Sequence, residues 1–319
     1  MTSPGTPQTP RSVSAQAPGK INISLGVGPQ RADGYHGVAS AYLAVSLYEE
    51  VTATITEGRG ITVSLKDGAD DGGNAGIPLD ESNLAVQAAA LLQGAAAQST
   101  GVHLELTKRV PVAGGMGGGS ADAAATLVAC DALWGSGHSR DELARMAADL
   151  GADVPFALLG GAAVGLGVGD QLTPALCPGQ LHWVLVPSAS GLSTPRVYAE
   201  LDTLRARAKK KVQEPKQVDP RVLQALRSGD AGALSDVLHN DLQPAALKLA
   251  PELTDILERG EGHGALAGMV SGSGPTVAFL AENEDRALEI AGCFDDEGFE
   301  AVPVYGPVHG ARTLAGIRN

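Results

Sequence analysis

The feature that most constrains this chain is the stretch VPVAGGMGGGSADAAATL, Val110 to Leu127, in which five glycines and a serine stand directly before an alanine-rich run. Alanine is the strongest helix former, so the run reads as a helix from Ser120 to about Trp134. A helix begins with unpaired backbone N–H groups and about half a unit of positive charge, and glycines ahead of it let an anion touch the main chain. The loop is therefore suited to cradle a phosphate. Its spacing separates it from two common cradles. Gly114 and Gly119 fit the frame of a Walker A loop, yet Ser120 stands where that loop needs lysine. Counting three residues on from Gly115 and Gly117 reaches Ser120, and from Gly117 and Gly119 reaches Asp122, so the dinucleotide fingerprint fails as well. A plain turn seldom concentrates so many glycines, because each costs backbone entropy on ordering.

Whatever anion binds must be held locally, because the chain as a whole repels anions. Its 23 Lys and Arg against 36 Asp and Glu give a formal charge of −13, which opposes general affinity for nucleic acid or an anionic membrane surface. The expected partners are small molecules, with no nucleic acid and no membrane. At 319 residues the chain has room for about two domains. Cys130, Cys177 and Cys293 are scattered and odd in number, with no CxxC pair, which suits a reducing cytoplasm. The opening MTSPGTPQTPRSVSAQ lacks the apolar core of a signal peptide, no run of 18 apolar residues occurs, and residues 1–10 read as a disordered tail.

Alternation marks INISLGV, VTATITE, ITVSL and VHLELTKRV as strands, and DGADDGGNAG reads as a loop. A helix follows from about Asn83, with Ser82 or Asn83 as its cap, and another covers SRDELARMAADL. In the latter, Ser139 and Glu142 stand at capping-box spacing and Gly151 is the expected left-handed C-cap. The glycine-rich AAVGLGVGDQLTP carries the expected domain boundary near Gly169. Beyond it the pattern predicts a strand at LHWVLVP, several helices between about 195 and 260, strands around GALAGMVSG and TVAFL, a helix over about 284–297, and a last strand at EAVPVYG. The class is α+β, without an internal repeat.

On this frame PVAGGMGGGSADAA resembles the phosphate-binding motif of the GHMP kinase superfamily, in which a proline, a glycine-rich loop and a serine open a helix that carries the phosphates of ATP. Four other segments resemble motifs of the branch of that superfamily that phosphorylates 4-diphosphocytidyl-2-C-methyl-D-erythritol: PGKINISLGVGPQRADGYHGVAS, LGADVPFALLGG, GLSTPRVYAELD and MVSGSGPTVAFL. The five occur in that branch's order between residues 18 and 280. The resemblance implies a two-domain GHMP kinase fold, with a mixed-sheet ATP-binding domain over 11–169 and an α+β substrate domain over 170–319. It further implies transfer of the γ-phosphoryl of ATP to the 2-hydroxyl of that acceptor, in the non-mevalonate route to isoprenoids. Mg²⁺ would arrive with ATP, and the protein would be a monomer or weak homodimer.

Residue by residue, the resemblance makes Asp153 the group that takes or orients the acceptor's hydroxyl proton, and Lys20, which the pattern puts at the start of a strand, its cationic neighbour. Pro111, Gly114, Gly115, Met116, Gly117, Gly118, Gly119 and Ser120 would line the ATP phosphates, with Asn83 and Lys108 near adenine and ribose. Two alternatives stay open: Asn83 as a simple helix cap, and Ser120 either as a phosphate or magnesium ligand or as the cap of its own helix. Tyr35, His36 and Tyr198 would enclose the cytosine, since an aromatic face suits a base. Asn22, Thr194, Gly272, Ser273 and Gly274 would complete the acceptor side. The basic run RARAKKK, Arg205 to Lys211, reads as a solvated helix end or mobile loop. Two rivals are a GHMP kinase for another small acceptor, which would have little use for the aromatic pocket, and a silent nucleotide sensor, which would have little use for Lys20 and Asp153 together.

Overall fold

A computed structural model describes residues 11–66, 76–95, 99–188, 191–209 and 211–314. The tail expected at 1–10 and most of the loop expected at 67–76 lie outside them. Two long strands organise the first half: β1 (Ser12–Gln30) and β2 (His36–Thr56), an antiparallel hairpin closed by a turn in which Gly34 has φ 85°. Lys20 lies in the middle of β1 rather than at its start, because the alternation runs on through Ser12 to Gln16 ahead of it. The chain continues through β3 (Ile61–Leu65), α1 (Leu84–Ala95), β4 (Gly101–Thr107), α2 (Gly118–Trp134), α3 (Arg140–Ala147), α4 (Val154–Leu159), β5 (Ala162–Leu166) and β6 (Gln171–Ala175). Strand β2 is long enough to serve two partners, pairing with β5 over Ser40–Leu43 and with β4 over Glu50–Thr56.

The second half begins with β7 (Leu181–Val186), then α5 (Thr194–Arg207), α6 (Pro220–Ser228), α7 (Ala231–Ser235), β8 (His239–Asn240), α8 (Gln243–Leu249) and α9 (Glu252–Gly262). It ends with β9 (Ala267–Val270), β10 (Val277–Ala281), α10 (Glu284–Asp296), β11 (Val302–Gly306) and β12 (Arg312–Thr313). Among the described residues, a mixed eight-stranded sheet holds β1–β6 with β8 and β12, and a four-stranded antiparallel sheet runs β11-β7-β10-β9. The fold is the expected α+β class. The glycine-rich stretch around Gly169 forms the turn of the β5–β6 hairpin, so the first sheet continues through Ala175.

Among the described residues, three large cores and a small one around Tyr42 and Phe156 hold these layers. Alanines dominate the first: Ala121, Ala123, Ala124, Ala125 and Ala129 of α2 are wholly buried against α1 and the large sheet. Small side chains let this helix approach its neighbours closely on several sides, whereas an amphipathic helix would leave one face in water. The second core joins the small sheet to α5, α8, α9 and α10. The third joins the halves, with Ile21, Ile23 and Leu43 from the large sheet packed in one cluster with Trp183, Leu185 and Leu280 from the small one.

Local expectations meet several corrections. The capping box of Ser139 and Glu142 is present, yet α3 ends at Ala147 with right-handed Ala148 as its cap, and Gly151 has no positive φ. The N-cap of α2 is Gly117, with φ 73°, so Ser120 is the third helical residue and not the cap. Asn83 does cap α1, its Oδ1 accepting from the Ala85 N–H at 2.9 Å. In the basic run, Arg205 is fastened rather than solvated: it donates to the carbonyls of Val27 and Gly28 and pairs with Asp241 at 3.1 Å.

Candidate active site

The period of two in β1 sends Ile21 and Ile23 into the core and turns Lys20, Asn22 and Ser24 to the other face. Register slips between Pro18 and Lys20 and between Asn22 and Ser24 flank Lys20–Asn22, and such bulges re-aim side chains. A buried chain of hydrogen bonds then fixes it. Lys20 Nζ donates to Asn22 Oδ1 at 2.6 Å, Asn22 Nδ2 donates to Ser40 Oγ at 2.8 Å, and Ser40 donates to the Ser24 carbonyl at 2.9 Å. The ammonium so held lies 3.7 Å from Asp153 Oδ2 and 5.5 Å from the centre of the Tyr42 ring.

Asp153 occupies the N-cap position of α4 but makes no capping hydrogen bond with its side chain. Its carboxylate is therefore not consumed by its own helix, which is the usual fate of an aspartate there. The helix behind it is anchored. Arg140 donates to the Leu158 and Ala311 carbonyls, and the Ala311 N–H donates to the Ala157 carbonyl at 2.9 Å. Burial, followed by the charge of Asp153, raises the phenols of Tyr42 and Tyr198, the latter to about 12. Both stay neutral donors beside the carboxylate at neutral pH.

The open end of α2 meets this pair. A Cβ at Gly117 would stand 3.5 Å from Lys20 Cγ and 3.7 Å from Asp153 Oδ2, so the bare backbone of the cap faces both groups. No side chain caps the first turn, which leaves its N–H groups for an anion. Gly115, with φ 75°, carries the loop against the turn that follows β9: a Cβ there would run into the Ser271 carbonyl and lie 3.0 Å from the Gly274 nitrogen. Met116 sends its side chain wholly into the third core, and only its carbonyl reaches toward the site, accepting from the Lys20 N–H at 3.0 Å.

Beneath the loop lies a buried triad that the sequence did not announce. Lys108 Nζ is 2.5 Å from Asp122 Oδ2 and 2.7 Å from Glu49 Oε1, and all three side chains are almost fully buried. Glu49 also accepts from the Arg109 N–H at 3.0 Å. Burial and then the charge of Asp122 push the Glu49 carboxyl up to about 7, against the pull of Lys108. Burial likewise raises Asp122. For Lys108 burial acts against the charge, but the two carboxylates outweigh it and hold the ammonium above the ordinary lysine range. Lys108 is thus fastened to protein carboxylates, and Asn83, whose Nδ2 donates to the Pro78 carbonyl at 2.7 Å, is engaged with its own backbone.

Across the cleft stands α5. Thr194 at its start shares a 2.8 Å hydrogen bond with Ser273 of the β9–β10 turn, which ties the helix to that turn. One turn on, Tyr198 meets His36 with ring centres 4.9 Å apart and planes inclined by 41°. Tyr35, by contrast, is 67% exposed at the hairpin end. The resulting cleft measures about 750 Å³. Its walls include Lys20, Asn22, Asn83, Lys108, Asp153, Thr194, Tyr198, Gly272 and Ser273, together with Pro111, Gly114, Gly115 and Gly117 to Ser120. Tyr35, His36, Met116 and Gly274 are not among them. Tyr42 and Asp122 are, and neither was singled out from sequence.

A glycine-opened helix N-terminus, a lysine–aspartate pair beside it and a second α+β half closing the cleft define a small-molecule kinase of the GHMP class. Residues 83–161 match the GHMP kinases N terminal domain and residues 222–300 the GHMP kinases C terminal domain. The 4-diphosphocytidyl-2-C-methyl-D-erythritol kinase of Pseudarthrobacter chlorophenolicus is 61% identical over 316 residues, covering 99% of each chain. That of an Arthrobacter species is 63% identical over 306 residues, covering 96% of each. The chain belongs to the 4-diphosphocytidyl-2-C-methyl-D-erythritol kinase family. A crystal structure of 4-(cytidine 5'-diphospho)-2C-methyl-D-erythritol kinase superposes with a TM-score of 0.74 at 31% identity, covering 92% of this chain and 98% of the other. The mevalonate kinase of L. major reaches the same TM-score at 17% identity, covering 97% and 100%, a likeness of fold alone.

Proposed function

We propose that the protein transfers the γ-phosphoryl group of ATP to the 2-hydroxyl of 4-diphosphocytidyl-2-C-methyl-D-erythritol, giving the 2-phosphate and ADP, as a step toward isoprenoid precursors. The observation that carries this reading is the Lys20–Asp153 pair, 3.7 Å apart, set against the uncapped N-terminus of α2 in a cleft shared with Tyr198. The acceptor oxygen bonds to the γ-phosphorus, the bond to the bridging oxygen of ADP breaks, and the hydroxyl proton passes to Asp153. Phosphoryl transfer asks mainly for positioning and charge stabilisation, and Lys20 with the α2 N–H groups supplies positive charge where the transferred group lies.

The ATP phosphates rest on Gly114 to Ser120, and the cytidyl end lies toward His36 and Tyr198. Mg²⁺ carried by ATP would screen the phosphate charge, held on the protein side by groups of this wall. The Ser120 hydroxyl and the Asp153 carboxylate on that wall are hard oxygen donors of the kind it prefers. Residues up to the β5–β6 hairpin form the nucleotide half and the small sheet with its helices the acceptor half. The test is ADP release by purified protein with Mg-ATP and, separately, the cytidyl acceptor, homoserine, mevalonate and galactose. Turnover confined to the cytidyl compound is expected; turnover with only another acceptor would overturn the pocket, and none with any would overturn the chemistry.

A further inference from the structure

Asn240, the second residue of β8, pairs with Leu25 of β1, just beyond Lys20 and Asn22 on that strand. Its side chain is buried with both amide hydrogens engaged: Nδ2 donates to the Val270 and Gly272 carbonyls, each at 2.7 Å, while Oδ1 accepts from the Leu242 N–H at 2.8 Å. Asn240 stands outside the cleft wall, whereas Gly272 and Ser273 belong to it. A planar trans peptide points its N–H opposite to its carbonyl, so holding the Gly272 carbonyl toward Asn240 turns the Ser273 N–H toward the cleft. Among the described residues no group accepts from that N–H. The place is beside the reacting groups: a Cβ at Gly272 would stand 3.0 Å from Asn22 Oδ1, 3.2 Å from the Gly115 carbonyl oxygen and 3.7 Å from Lys20 Nζ. Gly272 has φ 57°, and glycine lets a peptide rotate at little steric cost. Without a partner for its carbonyl, the peptide is free to invert and set the negative end of its dipole beside the phosphates.

We propose that Asn240 is a positioning residue for phosphoryl transfer: it locks the Gly272–Ser273 peptide with the carbonyl turned out of the cleft, so that the Ser273 N–H donates to the transferred phosphoryl group beside Lys20. The inference rests on the transfer reading above but not on which acceptor is used. A preorganised N–H aimed at developing charge lowers the barrier, and losing one such donor costs about 100-fold in rate. Asn240 itself touches no reacting atom and acts only through the peptide it holds. Gln243 offers the comparison. Its Oε1 accepts from the Val270 N–H at 2.9 Å, so it holds the same end of β9 but leaves the Gly272–Ser273 peptide alone.

The first test needs no turnover and so stands apart from the acceptor reading. It is the ¹⁵N-serine spectrum of the native protein, with Ser273 assigned through its loss in Ser273→Ala. The Ser273 amide should move downfield with the Mg²⁺ complex of adenylyl imidodiphosphate, a non-hydrolysable ATP analogue, and not with Mg-ADP, which lacks the third phosphate. No shift with the analogue, or the same shift with Mg-ADP, overturns the proposal whatever the acceptor is. The shift should vanish in Asn240→Ala, and its persistence there would also overturn the proposal. If that variant does not fold, the spectrum of the native protein decides. The second test is steady-state kinetics. Asn240→Ala should lower kcat about 100-fold, with KM for ATP and for the acceptor each within about threefold of the parent. Gln243→Ala, which loosens β9 without freeing the peptide, should keep kcat within about threefold. An equal loss of kcat in the two variants, or a loss in Asn240→Ala carried by KM alone, contradicts the assignment.

Discussion

Glu49 shows how a single residue can connect the loop to the pH of the solution. Its carboxyl is wholly buried, shares Lys108 with Asp122 and is pushed up to about 7. A carboxyl raised in the folded state holds its proton where the unfolded chain has released it, so its contribution to stability declines as pH rises from about 4.5 to about 7. Glu49→Gln removes that decline. Chemical denaturation between pH 5 and 7.5 should show the variant gaining on the parent by on the order of 2 kcal/mol across the window. Parallel pH profiles for the two proteins would contradict the placement of the proton. At this scale the sequence is legible where a motif surrounds the residue, as for Lys20, Asp153 and Ser139. Companions brought in from other strands are not: Glu49 lies 59 positions before Lys108, and only its acidity within an apolar strand hints at a partner.

Among the elements, the glycine loop and α2 bear the most weight. Gly115 is where that loop meets the β9–β10 turn, and two constraints act there together: a positive φ, and a Ser271 carbonyl occupying the space a side chain needs. Gly115→Ala should therefore cost roughly 3 kcal/mol through backbone strain and the clash with a neighbour that is itself main chain. A thermal or urea midpoint unchanged from the parent would show that the loop does not seat as described. The glycines and the alanine run made this helix readable from sequence, although its start lies two residues before Ser120 because glycine itself takes the N-cap. The β5–β6 hairpin was hidden by its own glycines, which resemble a linker until β2 is seen to have spare length on which β5 pairs. Two-residue strands such as β8 and β12 leave no periodicity to read.

For the whole molecule, the division of labour follows from packing. Polar side chains of β1 face the cleft while its apolar alternates meet the small sheet in the third core, so one strand serves both the site and the contact between halves. Composition and alternation indicated two α+β units, and the ordered motifs indicated the family. What they could not reveal is how close the units come, since that depends on Trp183 and Leu280 meeting Ile21 across more than 150 positions of chain. That closeness lets α5 bring Thr194 and Tyr198 to a cleft whose opposite wall carries Lys20, Asp153 and the open end of α2. Transfer depends on those three groups acting together on one phosphoryl group. The measurement that tests it most directly is ³¹P NMR of the purified protein with Mg-ATP and 4-diphosphocytidyl-2-C-methyl-D-erythritol, run beside Asp153→Asn and Lys20→Met. A new phosphomonoester on the acceptor, forming at least about 100-fold more slowly in each folded variant, is the predicted result. No phosphomonoester from the parent, or parental rates in either variant, would contradict it.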